Sequence, residues 1–223
     1  MCRDEACIAG ATGRGDPRQV SPLTVNRLSV YLRSLRALEG RGVRRVSSQQ
    51  LAREFNLSAA LIRKDLAQFG EFGVRGVGYD VSALAGKLAL LLRLDREHRI
   101  VLVGMGSLGT ALARFPAFNS GSFRVVAGFD TDPSKVGRRI GSVQVYDPAR
   151  LPEIVRGTGA RMAILAVPAE SAVDAYAALV AAGIRSVLNF APISLAPRAG
   201  CRIKSVDLRI PLEELCFFFE NVD

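Results

Sequence analysis

The chain has 223 residues, which is enough for two modest domains, and its hydrophobic fraction of 49% and charged fraction of 23% are ordinary for a globular protein. No apolar run reaches the roughly 18 residues of a membrane span, and residues 1–20 lack a signal-peptide core, so we expect a cytoplasmic protein with no membrane partner. The cysteines, Cys2, Cys7, Cys201 and Cys216, form no C-x-x-C pair, so we expect neither a metal site nor a disulfide framework.

The net charge of +9 is unevenly distributed. Residues 18–80 carry 11 Lys/Arg against 5 Asp/Glu, whereas residues 99–223 carry 14 against 11. A basic N-terminal third indicates a polyanionic partner, most simply nucleic acid. The alternative is an arginine-rich proteome, in which case the charge reports nothing about partners.

Residues 1–20 are predicted to be a disordered tail, and residues 21–82 a winged helix-turn-helix domain. A first helix follows Ser21-Pro22 and ends at Gly40 and Gly42. A second, short helix begins at Ser47 or Ser48, and Ser58 caps a third. A glycine-rich segment, with Gly70, Gly73, Gly76 and Gly78, then predicts a tight β-hairpin.

The third helix has a polar face that suits DNA reading. Ala60, Arg63 and Lys64 lie opposite the apolar stripe, so Arg63 can reach a guanine edge and Lys64 a phosphate. Ser58 can bond a phosphate, and Arg75 at the hairpin tip beside Gly76 can enter a minor groove. The alternative for Arg63 and Lys64 is an ordinary solvated helix face.

The pattern changes after a linking helix predicted over residues 83–98. Residues 100–103 form an apolar strand, and further strands are predicted at 123–129, 163–167 and 186–190, separated by helices. Alternating β and α elements predict a doubly wound parallel sheet, so residues 99–208 are expected to be a Rossmann domain in an α/β protein. Residues 209–223 form a C-terminal helix.

The glycine loop after the first strand predicts a dinucleotide site. Its residues are Gly104, Met105, Gly106, Ser107, Leu108 and Gly109, a G-x-G-x-x-G pattern. Asp130 lies 26 residues beyond Gly104, where a ribose-binding acid is expected, and its charge favours NAD(H) over NADP(H). Lys135, Arg138 and Arg139 lie nearby and keep NADP(H) open. The other alternative is a vestigial Rossmann fold without ligand.

An NAD-dependent oxidoreductase is the competing class of function. Hydride transfer to a carbonyl usually needs a placed proton donor. The only histidine, His98, precedes the first strand and therefore belongs at the end of the sheet away from the cofactor. A Lys or Tyr catalyst stays open, but no residue pair indicates one.

Several motifs together resemble the Rex family of redox-sensing repressors, in order and almost without insertions from about residue 22 to 220. They are VSSQQLA at 46–52, RKDL at 63–66, FGEFGVRGVGY at 69–79, the glycine loop at 104–109, FDTDPSKVG at 129–137, AVP at 166–168, AGI at 182–184, LNFAP at 188–192 and VDL at 206–208. With the helix placement, they give candidate DNA contacts at Ser48, Ser58, Ala60, Arg63, Lys64, Arg75, Gly76 and Tyr79.

The resemblance implies a homodimer that binds a palindromic double-stranded operator and releases it when NADH, rather than NAD⁺, is bound. It implies that the last helix is exchanged between subunits; the alternative is that this helix covers its own Rossmann domain. It also implies that Ala166, Val167, Pro168, Asn189 and Phe190 line the nicotinamide pocket. Lys135 is the remaining candidate cofactor contact.

Two positions depart from the family pattern. The family commonly has Asn or Arg where this chain has Ser107, and Tyr where it has Phe115. The resemblance implies that in some members these groups bond the partner's aspartate, here Asp207, in one of two states. We therefore expect either a weakened switch or a regulator that has lost cofactor control.

Overall fold

The structure is a computed structural model and describes residues 20–70, 72–73, 77–119 and 121–219. The described residues up to Asp95 form one compact unit and those from Arg96 onwards form a second. Apart from Val20, the predicted tail lies outside the described residues, as do Arg75 and Gly76 of the hairpin. Within these ranges no helix combines the length and apolar character needed to cross a membrane.

The first unit contains four helices and one short pair of strands. The helices are α1 (Pro22–Gly40), α2 (Ser48–Phe55), α3 (Ala59–Ala67) and α4 (Val81–Leu91), and β1 (Arg45–Val46) pairs antiparallel with β2 (Tyr79–Asp80). Ser21, Ser47 and Ser58 cap the first three helices by accepting backbone N–H bonds, and Ser47 forms a capping box with Gln50. Of the two capping candidates for α2, the structure therefore selects Ser47.

The linking helix predicted over residues 83–98 is shorter and begins earlier. Asp80 caps α4, whose Leu84 and Leu88 are buried in one core with residues of α1. The helix ends at Leu91, and Arg93 then adopts a left-handed conformation, with φ +56°. Because its apolar face is used in this core, α4 belongs to the first unit.

The second unit is a seven-stranded sheet with helices on both faces. Its strands are β3 (His98–Val103), β4 (Phe123–Phe129), β5 (Arg139–Ile140), β6 (Val143–Tyr146), β7 (Met162–Leu165), β8 (Ser186–Asn189) and β9 (Arg202–Ser205). Its helices are α5 (Ser107–Arg114), α6 (Leu151–Thr158), α7 (Ala169–Ala181) and α8 (Arg209–Phe219).

The sheet order is β5-β6-β4-β3-β7-β8-β9, and all pairs are parallel except β5 with β6. Without β5, this is the 3-2-1-4-5-6 order of a Rossmann domain, in which the order of the strands reverses between β3 and β7. The predicted doubly wound parallel sheet is confirmed. His98 is the first residue of β3 rather than a residue before it, and it still lies at the amino end of the sheet.

Helix α8 has no buried residue in the single chain. Leu212, Leu215, Phe217 and Phe219 expose between 61% and 82% of their surface. A stretch of this kind normally lies against another surface. The alternative in which the helix covers its own Rossmann domain is not what the single chain shows, and exchange between subunits stays a prediction.

Candidate functional site

A cleft of about 770 Å³ lies at the carboxyl ends of the central strands of the second unit. Gly104 follows β3, Asp130 follows β4, Ala166 follows β7 and Phe190 follows β8, and all four line this cleft. The volume is in the range of small-molecule and cofactor sites. The cleft therefore occupies the crevice at the reversal of strand order, where doubly wound sheets bind ligands.

Close backbone contacts require glycine at positions 104 and 109, whereas Gly106 borders open space. Gly104 has φ +93°, and a Cβ there would collide with the carbonyl oxygen of Ala166. A Cβ at Gly109 would collide with the carbonyl oxygen of Gly104, so this glycine lets α5 pack against the loop. A Cβ at Gly106 would meet no atom within 4 Å. The space beside Gly106 and the first N–H groups of α5 thus suits a pyrophosphate.

Asp130 connects the glycine loop to the next turn of the chain. Its Oδ2 accepts a hydrogen bond from the Met105 N–H at 2.8 Å, and its Oδ1 accepts one from the Asp132 N–H at 2.8 Å. The Nζ of Lys135 lies 3.2 Å from Oδ2, and this bond, opposed in part by burial, raises the pKa of the Lys135 ammonium. A carboxylate has about four acceptor positions, so one remains for a ribose hydroxyl.

The cationic residues near Asp130 differ in whether they line the cleft. Lys135 lines the cleft, whereas Arg138 and Arg139 are exposed and lie outside its described lining. Since Lys135 is already bonded to Asp130, a 2′-phosphate would have to displace that bond and face the carboxylate. The geometry therefore favours a free ribose 2′-hydroxyl at this end.

The predicted nicotinamide-pocket residues separate into two groups. Ala166, Val167, Pro168 and Phe190 line the cleft. Asn189 does not, because it is fully buried and its Nδ2 donates to the carbonyls of Ala191 and Ile193, at 3.3 and 3.1 Å. Its Oδ1 accepts the Ala191 N–H at 3.0 Å. Asn189 thus holds the loop that presents Phe190, and it makes no contact of its own with the cleft.

Met105 also lies behind the cleft. Its side chain is buried, and its sulfur lies 2.8 Å from the position that a Cβ on Gly128 would occupy. This packing requires glycine at position 128 of β4. Two contacts therefore fix the glycine loop: the Met105 side chain packs against Gly128, and the Met105 N–H donates to Asp130.

Sequence reasoning missed several lining residues, which come from loops, from the start of α6 and from one face of α7: Thr131, Pro148, Leu151, Ser171, Asp174, Ala175 and Ala178. The four residues of α7 fall at i, i+3, i+4 and i+7, but this spacing indicates only a helix face and does not indicate a ligand. Among the described lining residues there is no histidine, cysteine or tyrosine. Lys135 and Asp174 do line the cleft, and Lys135 is held at the Asp130 end by its 3.2 Å contact with that carboxylate.

The first unit presents α3 as an exposed basic helix. Ala60, Arg63 and Lys64 are exposed, whereas Ile62 and Leu66 on the opposite face are buried. Arg63 donates from its Nη1 to the Oγ of Ser48 at 3.1 Å, which orients the guanidinium across the start of α2. This geometry matches a recognition helix that enters a major groove.

Ser58 and Tyr79, two other candidate DNA contacts, differ in how far their side chains are exposed. Ser58 is exposed, and its Oγ accepts the Leu61 N–H at 3.1 Å, which leaves its hydroxyl proton for a phosphate. Tyr79 is half-buried, and burial raises the pKa of its phenol. A Cβ on Gly73 would lie 2.8 Å from the Tyr79 ring, so this ring packs closely against the backbone of Gly73.

A buried ion pair that sequence reasoning missed fixes α3 to α1. The carboxylate of Asp65, whose side chain is only 2% exposed, accepts hydrogen bonds from Nε of Arg27 at 2.6 Å and from Nη2 of Arg27 at 2.7 Å. The hydroxyl of Tyr31 donates to the same carboxylate at 2.9 Å. A bidentate pair of this kind sets orientation as well as distance, so it determines how α3 presents Arg63 and Lys64.

Comparison with known proteins covers both units. Residues 19–67 match the family described as "Putative DNA-binding protein N-terminus" and residues 95–193 match the CoA binding domain family. The chain is 41% identical to the redox-sensing transcriptional repressor Rex of Pelotomaculum thermopropionicum over 89% of this chain and 93% of that protein. It is also 41% identical to the redox-sensing transcriptional repressor Rex of Streptomyces avermitilis, over 90% of this chain and 79% of that protein. The chain belongs to the Rex family of redox-sensing transcriptional repressors.

Solved Rex-family structures agree with this membership. RSP in complex with β-NAD⁺ and operator DNA is 32% identical, with a TM-score of 0.86 over 91% of this chain and 93% of RSP. RSP in complex with β-NADH is 30% identical, with a TM-score of 0.84 over 91% of this chain and 95% of RSP. Since the family consists of repressors, the oxidoreductase alternative is not retained.

The three residues singled out for the Rex switch occupy the start of α5, the end of α5 and the segment before α8. Ser107 is the first residue of α5 and lines the cleft. Phe115 follows α5, is 52% exposed and packs against Phe118, with 5.7 Å between ring centroids. Asp207 is exposed, and its Oδ1 accepts the Arg209 N–H at 2.9 Å at the start of α8. Their role in switching stays a prediction.

Proposed function

We propose that this chain is a transcriptional repressor that binds a palindromic operator and is released when NADH occupies its Rossmann cleft. The observation that carries this proposal is that one chain combines an open dinucleotide cleft with an exposed basic recognition helix. RSP has been solved with NAD⁺ together with operator DNA and with NADH. We infer the same pair of ligands here, so that transcription follows the NADH/NAD⁺ ratio in the cytoplasm.

The residues present fit a nicotinamide dinucleotide. Asp130 would hold the adenosine ribose, and the N–H groups of Ser107 and Leu108 at the start of α5 would face the pyrophosphate. Val167 and Phe190 would contact the nicotinamide. The bound dinucleotide would act as a ligand whose redox state is read, because the chain belongs to a family of transcriptional repressors.

We propose that residues 21–82, together with the helix α4 that packs in their core, form the DNA-binding domain, residues 99–208 the NAD(H)-binding domain, and residues 209–223 an exchanged helix. A palindromic operator requires two recognition helices related by a two-fold axis. The exposed apolar face of α8 supports a homodimer in which this helix is covered by the partner.

The test is an operator mobility shift titrated separately with NADH and NAD⁺. We expect NADH to release the DNA at concentrations at which NAD⁺ does not. Arg63→Ala should weaken operator binding by about 1–3 kcal/mol, or roughly five- to 150-fold, whereas Arg36→Ala, an exposed arginine on α1, should not. Operator binding that is indifferent to NADH would contradict redox control, and turnover of NADH with a metabolite panel would indicate an enzyme.

A further inference from the structure

The guanidinium of Arg63 lies where three elements of the first unit meet. Arg63 belongs to α3, and its Nη1 donates to the Oγ of Ser48, the first residue of α2, at 3.1 Å. Tyr79 begins β2, and although burial raises the pKa of its phenol, the nearby charge of Arg63 offsets part of that rise. Ser48 and Arg63 are 15 residues apart in the chain. The direction of this guanidinium is therefore set by the packing of the unit and not by α3 alone.

Ser48 is not needed to form α2, because the preceding serine caps the helix. The Oγ of Ser47 accepts the Gln50 N–H at 3.1 Å, and the Gln50 side chain accepts the Ser47 N–H at 2.8 Å. Within the described ranges, the Ser48 side chain bonds to Arg63 and to no backbone group of the helix. Alanine favours a helix at least as well as serine does, so the hydroxyl of Ser48 can be removed without weakening α2.

The bond to Ser48 leaves Arg63 an edge with which to read a base. A guanidinium has five N–H donors, and bidentate recognition of guanine O6 and N7 needs two neighbouring ones. Ser48 takes one N–H of Nη1, which leaves the edge formed by Nε and Nη2. Arg27 binds the Asp65 carboxylate through this same edge. The ion pairs of the described residues include no carboxylate for Arg63, so among these residues none competes for its exposed edge.

We propose that Ser48 is a specificity-determining residue, which positions the Arg63 guanidinium towards a base and away from the phosphates. Ser48 acts through Arg63, so its hydroxyl is a positioning group whether or not it also meets the DNA. The inference rests on the proposed function in one respect, namely that the first unit binds an operator of defined sequence.

A held arginine and a free arginine contribute differently to DNA binding. Binding without sequence preference draws on phosphate contacts, and a guanidinium that turns freely would pair with any phosphate within reach. A guanidinium that is held adds affinity chiefly where two base acceptors face it. Holding also removes, before DNA binds, part of the conformational entropy that an arginine side chain loses on binding. Both effects raise the preference for the operator over other sequences.

The test measures how well the full-length protein discriminates between two duplexes, by fluorescence anisotropy. The first duplex is the sequence that wild-type protein selects from a random library. The second differs from it at the G·C pair of each half-site that Arg63→Ala ceases to distinguish from A·T. The variants are Ser48→Ala, Ser48→Thr, and Ser48→Ala combined with Arg63→Ala. Ser29→Ala, which removes a hydroxyl bonded to the Val25 carbonyl of α1, is the matched control.

We expect Ser48→Ala to lower the ratio of the two affinities about three- to tenfold. The loss should come from weaker binding to the selected duplex, while the affinity for the exchanged duplex stays within about twofold. Ser48→Thr keeps the hydroxyl and should keep the ratio, as should Ser29→Ala. Adding Ser48→Ala to Arg63→Ala should change the ratio by less than about twofold, because the positioned group is already gone. The urea midpoint of the first unit should not fall in Ser48→Ala.

Each alternative role of Ser48 gives a different result, and each of these results would overturn the proposal. Equal weakening on both duplexes would make Ser48 an ordinary phosphate contact, and tighter binding to the selected duplex in Ser48→Ala would mean that the bond withholds Arg63 from DNA. An unchanged ratio, losses that multiply in the double variant, a urea midpoint that falls with the ratio, or no base pair that Arg63 distinguishes would also overturn it.

Failure of the proposed function looks different from failure of the inference. Wild-type protein would then select no sequence from the library, or it would keep its operator in the presence of NADH. In the first case the inference falls with the proposed function. In the second case the comparison of variants still decides the role of Ser48, because the two duplexes are compared without NADH.

Discussion

Removing one partner of the buried pair between α1 and α3 should destabilise the first unit strongly. Arg27→Met deletes two charge-assisted hydrogen bonds, at 2.6 and 2.7 Å, and leaves the Asp65 carboxylate buried with the Tyr31 hydroxyl as its remaining described donor. Breaking a buried pair typically costs 3–5 kcal/mol. Because Arg27 is 26% exposed and water can replace part of its interaction, we expect the lower end, about 3 kcal/mol.

Two further variants distinguish a lost pair from general damage. Tyr31→Phe removes one hydrogen bond and should cost about 1–1.5 kcal/mol. The double variant Arg27→Met with Asp65→Leu removes both charges together with the Tyr31–Asp65 hydrogen bond, so it should be destabilised by about 1–2 kcal/mol, clearly less than Arg27→Met alone. The measurement is urea unfolding followed by circular dichroism, fitted as two transitions because the chain has two units. Equal destabilisation in the single and double variants would refute the reasoning.

The same carboxylate makes the stability of the first unit depend on pH. Burial disfavours the charged form of Asp65, but the hydrogen bonds from Arg27 and Tyr31 outweigh burial and hold the pKa below its ordinary value. A carboxyl with a lowered folded-state pKa contributes its full stability above the unfolded pKa of about 3.9 and loses it as the pH falls towards the folded value. We expect this acid loss to be absent from the double variant.

Three more predictions concern the cofactor, the switch and the dimer. Asp130→Ala should weaken NADH binding and reduce discrimination against NADPH in calorimetry, because the ribose acceptor and its repulsive charge are lost together; unchanged NADH affinity would place the ribose elsewhere. NADH should release DNA incompletely, since Ser107 and Phe115 cannot supply the charge-assisted bonds worth about 1.5–3 kcal/mol, and Ser107→Arg with Phe115→Tyr should sharpen release in an operator titration. Full wild-type release at just-saturating NADH would contradict this. Deleting residues 211–223 should disrupt the dimer in light scattering, and a truncated protein that stays an operator-binding dimer would count against helix exchange.

Features that adjacent residues encode could be predicted from the sequence. The glycine loop, the cap at Ser58 and the alternation of strands and helices each depend on a few consecutive residues, and the structure has them where expected. Asp65 could not be found in this way, because its partner Arg27 lies 38 residues earlier in the chain. The end of α4 was also hidden, because the leucines continue to Leu94 and the left-handed turn falls at Arg93, which is not a glycine.

Asn189 shows a different limit. The family resemblance implied that both Asn189 and Phe190 line the nicotinamide pocket, and it could not show which of the two side chains faces the cleft. Alternation along β8 sends Asn189 into the interior, where its amide closes the following loop, and leaves Phe190 at the surface of the cleft.

Asp130, which accepts a hydrogen bond from the glycine loop, lies at one end of the cleft. This end of the cleft would meet the adenosine half of the dinucleotide, which is identical in the oxidised and reduced forms. It therefore adds the same affinity to both forms and cannot distinguish NADH from NAD⁺. We expect substitutions near Asp130 to change how large a total dinucleotide pool the repressor needs. The ratio at which it responds would then be set separately, at the nicotinamide end around Val167 and Phe190.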